Sequence, residues 1–333
     1  MKTIIISRTD AIGDVVLTLP LAGILKSNFP DCRILFFGKT YTEPVIKLST
    51  YVDSFLNYDE FTKLSAADKI LFLKNTEATD IIHVFPRRDI ASAAKRSGIA
   101  NRIGTSHRWY HWFTCNKRIS FSRKNSELHE AQLNCKLLEG VGLNTNYTKA
   151  ELTSFYGFRC NYSLPGEFKI TTDKLNVILH PRSHGSAREW GLNNFRALIY
   201  KLQDAGVNCI ITGSPKEKEE LQQWLTTLPE GITDLTGKLQ LNELIALINE
   251  CDGIAAGSTG PLHIAAAIGK NTLGFFPPIR PMHAGRWAPL GIKAGYLTFD
   301  KDCSECRNNP SSCTCIKNIS VHEAAAVILK WRK

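Results

Sequence analysis

Residues 3–20 read Thr-Ile-Ile-Ile-Ser-Arg-Thr-Asp-Ala-Ile-Gly-Asp-Val-Val-Leu-Thr-Leu-Pro, and the change of rhythm inside them decides the fold class. Thr3 to Ser7 is a short apolar, β-branched run that stops at a polar turn, the pattern of a strand buried in a parallel sheet. After Gly13, residues Val15, Val16, Leu19, Leu21, Ala22, Ile24 and Leu25 recur at helical spacing until Pro30 ends the helix. Arg33 to Gly38 then restarts a strand. A strand, a helix and a strand within residues 3–38 make one parallel crossover, so the chain is expected to be α/β.

Working outward, the same alternation continues. Further strands are expected at 80–85 and 101–104, and helices at 41–48, 65–74, 90–97 and 126–139. Residues 154–175 contain Tyr-Gly and Leu-Pro-Gly with little periodicity, as a connection between domains does. A second cycle follows, with strands at 176–180, 207–212, 253–256 and 272–276 and helices at 193–205, 217–228, 241–249 and 261–268. The expected organisation is a Rossmann-like domain over 1–160, a second over 161–318, and a final helix within 319–333. Two such open sheets are expected to face a central cleft, with ligands outside the strand carboxyl ends.

The 333 residues are 43% hydrophobic and 22% charged, which excludes a disordered or fibrous chain. No stretch supplies the ~20 consecutive apolar residues of a bilayer-spanning helix. The apolar run after Lys2 is too short for the core of a secretory signal, so a cytoplasmic protein is expected. Net charge is +10 and uneven: residues 83–136 hold 11 Lys and Arg against 3 Asp and Glu. That strip is either a well-solvated face or a surface for phosphate-rich ligands, anionic membranes or nucleic acid. Nucleic acid is the weakest of these, because no nucleic-acid-binding motif accompanies the charge.

Three strand-to-helix junctions carry the chemistry. The first is Arg8 to Asp14, whose glycine permits a tight turn but whose spacing is neither a dinucleotide fingerprint nor a P-loop. Taken alone, Asp14 would offset a helix dipole, worth about 0.3–1 kcal/mol. The second is His180-Pro-Arg-Ser-His-Gly-Ser-Ala-Arg-Glu-Trp190, in which hydroxyls, glycine and two arginines suit a phosphate or make a polar surface loop. The third, Ala256-Gly-Ser-Thr-Gly-Pro-Leu-His263, offers a hydroxyl, an open glycine backbone and a proline suited to the first helical turn, so free amides would face an anion. His263 alone reads as a helix-face histidine with a core partner.

Ten cysteines are present, six of them scattered singly. Cys303, Cys306, Cys313 and Cys315 crowd into thirteen residues and could form a tetrahedral zinc site. Their spacing departs from two Cys-x2-Cys pairs, and reduced thiols or a disulfide formed on purification is the competing reading.

Together these strings resemble glycosyltransferase family 9, the lipopolysaccharide heptosyltransferases. Residues 8–20 and Ser-Thr-Gly-Pro-Leu-His-Ile-Ala-Ala-Ala at 258–267 carry the likeness. His180-Pro181, Arg188-Glu189-Trp190, Thr212-Gly-Ser-Pro-Lys-Glu217 and Phe276-Pro-Pro278 follow in the family's order. The resemblance implies a GT-B fold with the acceptor on the first domain and a nucleotide sugar on the second, an ADP-sugar being favoured. It implies an inverting transfer, here possible without any cofactor, in which Asp14 is the general base. Arg188, standing where Lys is usual, would hold the diphosphate with the Thr259 and Gly260 amides. Ser183 or Ser186 would add hydroxyl contacts, Glu217 would bind the ribose, Leu239 would pack the base, and His263 would face the sugar. Ser258 stands where the well-studied members carry Asp, which keeps a UDP-sugar transferase or an epimerase as alternatives. Asp10, Arg87 and Arg88 would bind a lipid-linked saccharide acceptor. The basic strip, with Trp109, Tyr110 and Trp112, would meet that acceptor and the anionic inner-membrane face, making the enzyme peripheral there. The last helix would pack back toward the N-terminal domain.

Overall fold

The computed structural model describes residues 1–332 except 125, 169, 171–172, 184, 186, 301–302 and 304–313. The chain divides into two units, Met1–Arg159 and Cys160–Lys333. The first holds strands β1 (Thr3–Ser7), β2 (Arg33–Gly38), β3 (Ser54–Asn57), β4 (Asp80–His83), β5 (Asn101–Thr105) and β6 (Lys117–Ile119). The second holds β7 (Asn176–His180), β8 (Asn208–Ile211), β9 (Thr233–Asp234), β10 (Gly253–Ala256), β11 (Asn271–Phe275) and β12 (Ala294–Leu297). Every pairing between these strands is parallel, and an isolated antiparallel bridge joins Ser49 to Phe158 outside them. The orders are β3-β2-β1-β4-β5-β6 and β12-β11-β10-β7-β8-β9, so each unit is the same doubly wound sheet, reversing direction between β1 and β4 and between β7 and β10.

Helices cover both faces of such sheets, and this explains why β1 reads as an unbroken apolar run. Ile4, Ile5 and Ile6 are all fully buried, and Ile5 packs with Leu35, Phe37, Phe61 and Ile81 on one face. In the second unit Trp190 stacks on Phe275 at 4.0 Å between centroids and donates its indole N–H to the Ile319 carbonyl at 3.0 Å. The last helix, Val321–Leu329, buries Ala324, Ala325 and Ile328 in that same core. Its apolar face is therefore used within the second unit.

The helix expected after Gly13 is two helices, Ile12–Val16 and Pro20–Asn28. Pro20 lacks the N–H that would continue the ladder and its ring crowds the carbonyl four residues back. The connection tightens there: Leu19 N–H is shared between the Val15 and Val16 carbonyls, and Leu21 N–H bonds to the Thr18 carbonyl three residues back.

His83, at the carboxyl end of β4, is buried, and neither ring nitrogen has a hydrogen-bond partner among the described residues. Burial first, then His111 and Arg102, push its pKa down from 6.5 to about 3. The unfolded chain takes up this proton near pH 6.5 and the folded chain does not until about pH 3. Stability present above pH 6.5 is thus lost progressively as pH falls toward 3. The melting temperature is expected to fall less steeply between pH 6.5 and 4 in His83→Leu than in the wild type. Equal slopes would assign acid lability to other groups.

Candidate active site

In the first unit the candidate residues gather where the strand order reverses, beyond the carboxyl ends of β1 and β4. Arg8 leaves β1 directly into the interior and is 3% exposed. Its Nε donates to Asp10 Oδ1 at 2.7 Å, its Nη2 to Asp14, and its Nη1 to Glu130 Oε1 and Asn134 Oδ1, both at 3.3 Å. Arg123 donates to Glu130 and, at 3.0 Å, to Asn134 Oδ1. Two guanidinium groups therefore share three carboxylates, a combination that can stay buried only because nearly every polar atom is paired. Burial works against the Arg8 charge, but Asp10, Asp14 and Glu130 more than offset it and hold the proton firmly.

Asp14 keeps one-fifth of its side chain exposed. Burial pushes its carboxyl up to about 6, helped by the negative Asp10 and Glu130 and opposed by Arg8 and Arg123. It is thus ionised at neutral pH yet close enough to it to accept a proton. Arg87, following β4, donates from Nε to Thr9 Oγ1 at 3.0 Å and lies over the Phe85 and Tyr58 rings, bracing the loop. The Tyr41 hydroxyl donates to the Asp10 carbonyl at 2.7 Å. Arg88 is exposed and stands 5.0 Å above Trp109 instead.

In the second unit the 181–191 and 257–260 loops leave adjacent strands, β7 and β10, whose ends pair His180 with Ala256. A Cβ on Gly257 would lie 3.4 Å from the Arg188 carbonyl, so the two loops touch through their backbones. The 181–191 loop is cross-braced by Glu189, which accepts from Arg182 Nη1 at 2.8 Å and from the Ser183 amide at 3.1 Å. Gly191, at φ 104°, supplies the turn into the helix Leu192–Asp204 that a side chain would strain. Thr259 N-caps the helix Gly260–Ile268 in position but not through its side chain: its buried hydroxyl oxygen has no hydrogen-bond partner among the described residues. A buried, unpartnered hydroxyl at a helix start suits an oxyanion. Ser258 is half-buried and His263 buried on the same helix start.

The other expected residues divide. Ser183 donates its hydroxyl to the Ala187 carbonyl at 2.9 Å, holding its own loop. Glu217 Oε2 accepts from the Ser214 amide at 2.7 Å and lies 4.0 Å from His180 Nε2, so this carboxylate closes the start of the helix Pro215–Leu225. Leu239 is half-buried just ahead of the helix Leu241–Glu250. Ser186, Cys306 and Cys313 lie outside the described residues. Cys303 and Cys315 bring their sulfurs to 3.3 Å beside Ile279. Among the described residues no group of three or more His, Cys, Asp or Glu is placed to hold a metal. Sequence reading gave no role to Arg8, Glu130 or Asn134, and of these only Arg8 lay within a string already singled out.

Two six-stranded parallel sheets of one doubly wound topology in a single chain are the elements of the GT-B fold. The chain belongs to glycosyltransferase family 9 (heptosyltransferase), whose family model matches residues 90–317. It is 24% identical over 296 residues to a lipopolysaccharide core heptosyltransferase of Haemophilus influenzae, covering 87% of this chain and 83% of the relative. A family 9 glycosyltransferase from Veillonella parvula superposes with a TM-score of 0.80 at 18% identity, covering 99% of this chain and 98% of that one. The Escherichia coli ADP-heptose lipopolysaccharide heptosyltransferase II superposes with a TM-score of 0.73 at 17% identity over the full length of both chains.

Proposed function

We propose that this glycosyltransferase moves heptose from ADP-heptose onto a lipid-linked saccharide of the lipopolysaccharide core or a related surface glycan, with inversion at the anomeric carbon. The observation that carries the reading is the Asp14 carboxyl, one-fifth exposed like Asp10 beside the buried Arg8 and Glu130, and the one whose burial pushes it up to about 6. Asp14 takes the proton of an acceptor hydroxyl as that oxygen bonds to the anomeric carbon. The bond from that carbon to the nucleoside diphosphate breaks on the opposite face, and its electrons leave with the diphosphate. The growing charge meets the Arg188 guanidinium, the Thr259 hydroxyl and the amides at Gly260. Glu217 is assigned the ribose and Leu239 the base, Ser183 and Ser186 further hydroxyl contacts, and His263 the donor sugar. Asp10, Arg87 and Arg88 are assigned to the acceptor.

Ser258 favours a second reading, transfer from another nucleotide sugar, because a hydroxyl there lacks the charge that an aspartate would offer a donor. Thermal-shift titration with ADP, UDP, GDP and their sugars separates the two. ADP and ADP-heptose are expected to raise the melting temperature most, and a larger shift with a UDP-sugar would replace the donor assignment. Arg188→Ala should weaken ADP by about 1.5–3 kcal/mol, roughly 10- to 150-fold in Kd, with the unliganded melting temperature unchanged. Unaltered affinity would remove Arg188 from the donor site.

A further inference from the structure

The segment between β5 and β6 exposes three large rings together: Trp109 is 62% exposed, Trp112 59% and Phe113 69%. Contiguous apolar rings are rare on a surface with no partner. Their presentation is built rather than loose. His111, between them, is buried and pairs its Nδ1 with the Thr105 carbonyl at 2.8 Å. Arg102 Nε donates to the Thr114 carbonyl at 2.8 Å, and Asn116 Nδ2 to that of Ala100 at 2.7 Å. Trp112 donates its indole N–H to the Ser106 carbonyl at 3.1 Å, so its polar atom is answered inside the segment and the ring is offered as an apolar surface.

The charge around the rings has one sign. Residues 90–126 contain no Asp or Glu and eight Lys or Arg. The Arg118 guanidinium lies 4.7 Å above the Trp112 ring and that of Arg88 5.0 Å above Trp109, each cation beside a ring. Indole and phenyl rings settle at the boundary between lipid headgroup and hydrocarbon, while cations near them meet lipid phosphates. A saccharide-stacking surface would instead want acceptors beside the rings for the sugar hydroxyls, and this stretch has no carboxylate.

We propose that residues 106–118 form a wedge that seats the first unit on an anionic phospholipid bilayer, Trp109, Trp112 and Phe113 entering the interface and Arg108 and Arg118 facing the lipid phosphates. The inference rests on the proposed lipid-linked acceptor, to which it gives a physical address. It is read by co-sedimentation of the full chain with phosphatidylglycerol–phosphatidylethanolamine vesicles and, in parallel, phosphatidylcholine vesicles. The wild type is expected to prefer the anionic vesicles, with a blue shift of tryptophan emission on binding. Trp112→Ser/Phe113→Ser should lower the partition coefficient about tenfold or more at an unchanged melting temperature. Arg108→Glu should weaken binding to anionic vesicles alone. Equal binding of the wild type to both vesicle types, or wild-type partitioning of the double variant, overturns the proposal. Transfer to an acceptor stripped of its lipid should survive in Phe113→Ser, which removes a ring with no part in the acceptor site; its loss would make this a saccharide surface and also overturn the proposal. The vesicle measurement needs neither donor nor acceptor, so a wrong donor assignment leaves its outcome untouched.

Discussion

Arg8→Met is expected to destabilise the first unit by about 3–5 kcal/mol, read as a lowered urea midpoint in the unfolding of the purified chain. Methionine preserves the length of the side chain and removes its charge. Arg8 makes contacts with Asp10, Asp14, Glu130 and Asn134 from a position 3% exposed. Glu130 and Asn134 would retain Arg123, but Asp10 and Asp14 would face each other without the cation that offsets their burial. Breaking one side of a buried ion cluster leaves uncompensated charge, and that cost exceeds the loss of the contacts themselves. Without the guanidinium the carboxylates bind protons more readily, so the deficit should shrink as pH falls and they become neutral. Arg8→Lys, which keeps the charge but not the fork of donors, should fall between the two. A deficit below about 1 kcal/mol at neutral pH would mean that water already solvates this cluster.

That cluster also marks where sequence reading stops. The eight strands expected from the sequence, seven of them apolar runs and the eighth the mixed Asn101–Thr105, are the eight interior strands of the two sheets. Those not recognised, β3, β6, β9 and β12, are the four edges. An interior strand of a parallel sheet is covered on both faces and paired on both sides, so its composition is uniform and legible. Edge residues such as Ser54–Asn57 and Thr233–Asp234 are only half-buried, and their sequences resemble loops. Asp14, Arg188 and Thr259 stand out in the sequence because each follows an interior strand, Asp14 in the short helix after β1 and the other two in the loops after β7 and β10, where ligands of such sheets bind. Glu130 and Asn134 were not, because nothing within their own helix distinguishes a carboxylate that pairs with an arginine 122 residues away. Glu217 shows the converse. Its fit to the Ser214-Pro-Lys-Glu217 capping pattern is local, and the structure closes that box with both bonds present.

The two units repeat one topology and differ in what stands at the reversal point. In the first, five charged side chains are locked together and two carboxyls, Asp10 and Asp14, remain partly open. In the second, Gly257 packs against the Arg188 backbone and the buried Thr259 hydroxyl has no hydrogen-bond partner among the described residues. Under the proposed function the first would accept a proton and the second a diphosphate.

Asp14→Asn is expected to lower kcat 100-fold or more while ADP binding and the melting temperature stay close to wild type. Asparagine retains the shape and the Oδ1 that accepts from Arg8, but it cannot take the acceptor's proton. In the wild type the carboxyl is held near pH 6, so kcat/KM should be level above that pH and fall about tenfold for each pH unit below it, as the base becomes protonated. Asp14→Asn should lose this acid limb along with its activity. Asp10→Asn provides the control, since Asp10 accepts from Arg8 Nε at 2.7 Å and its negative charge is one reason Asp14 sits high. Removing that charge should move the acid limb to lower pH and leave most of the turnover at neutral pH. More than about a tenth of wild-type activity in Asp14→Asn would rule it out as the base, given the 100-fold or larger contribution expected of one. A larger loss in Asp10→Asn than in Asp14→Asn would transfer the role to Asp10. If instead Asp14→Asn unfolds the first unit, the carboxylate serves chiefly to balance Arg8, and the proton must leave by another group.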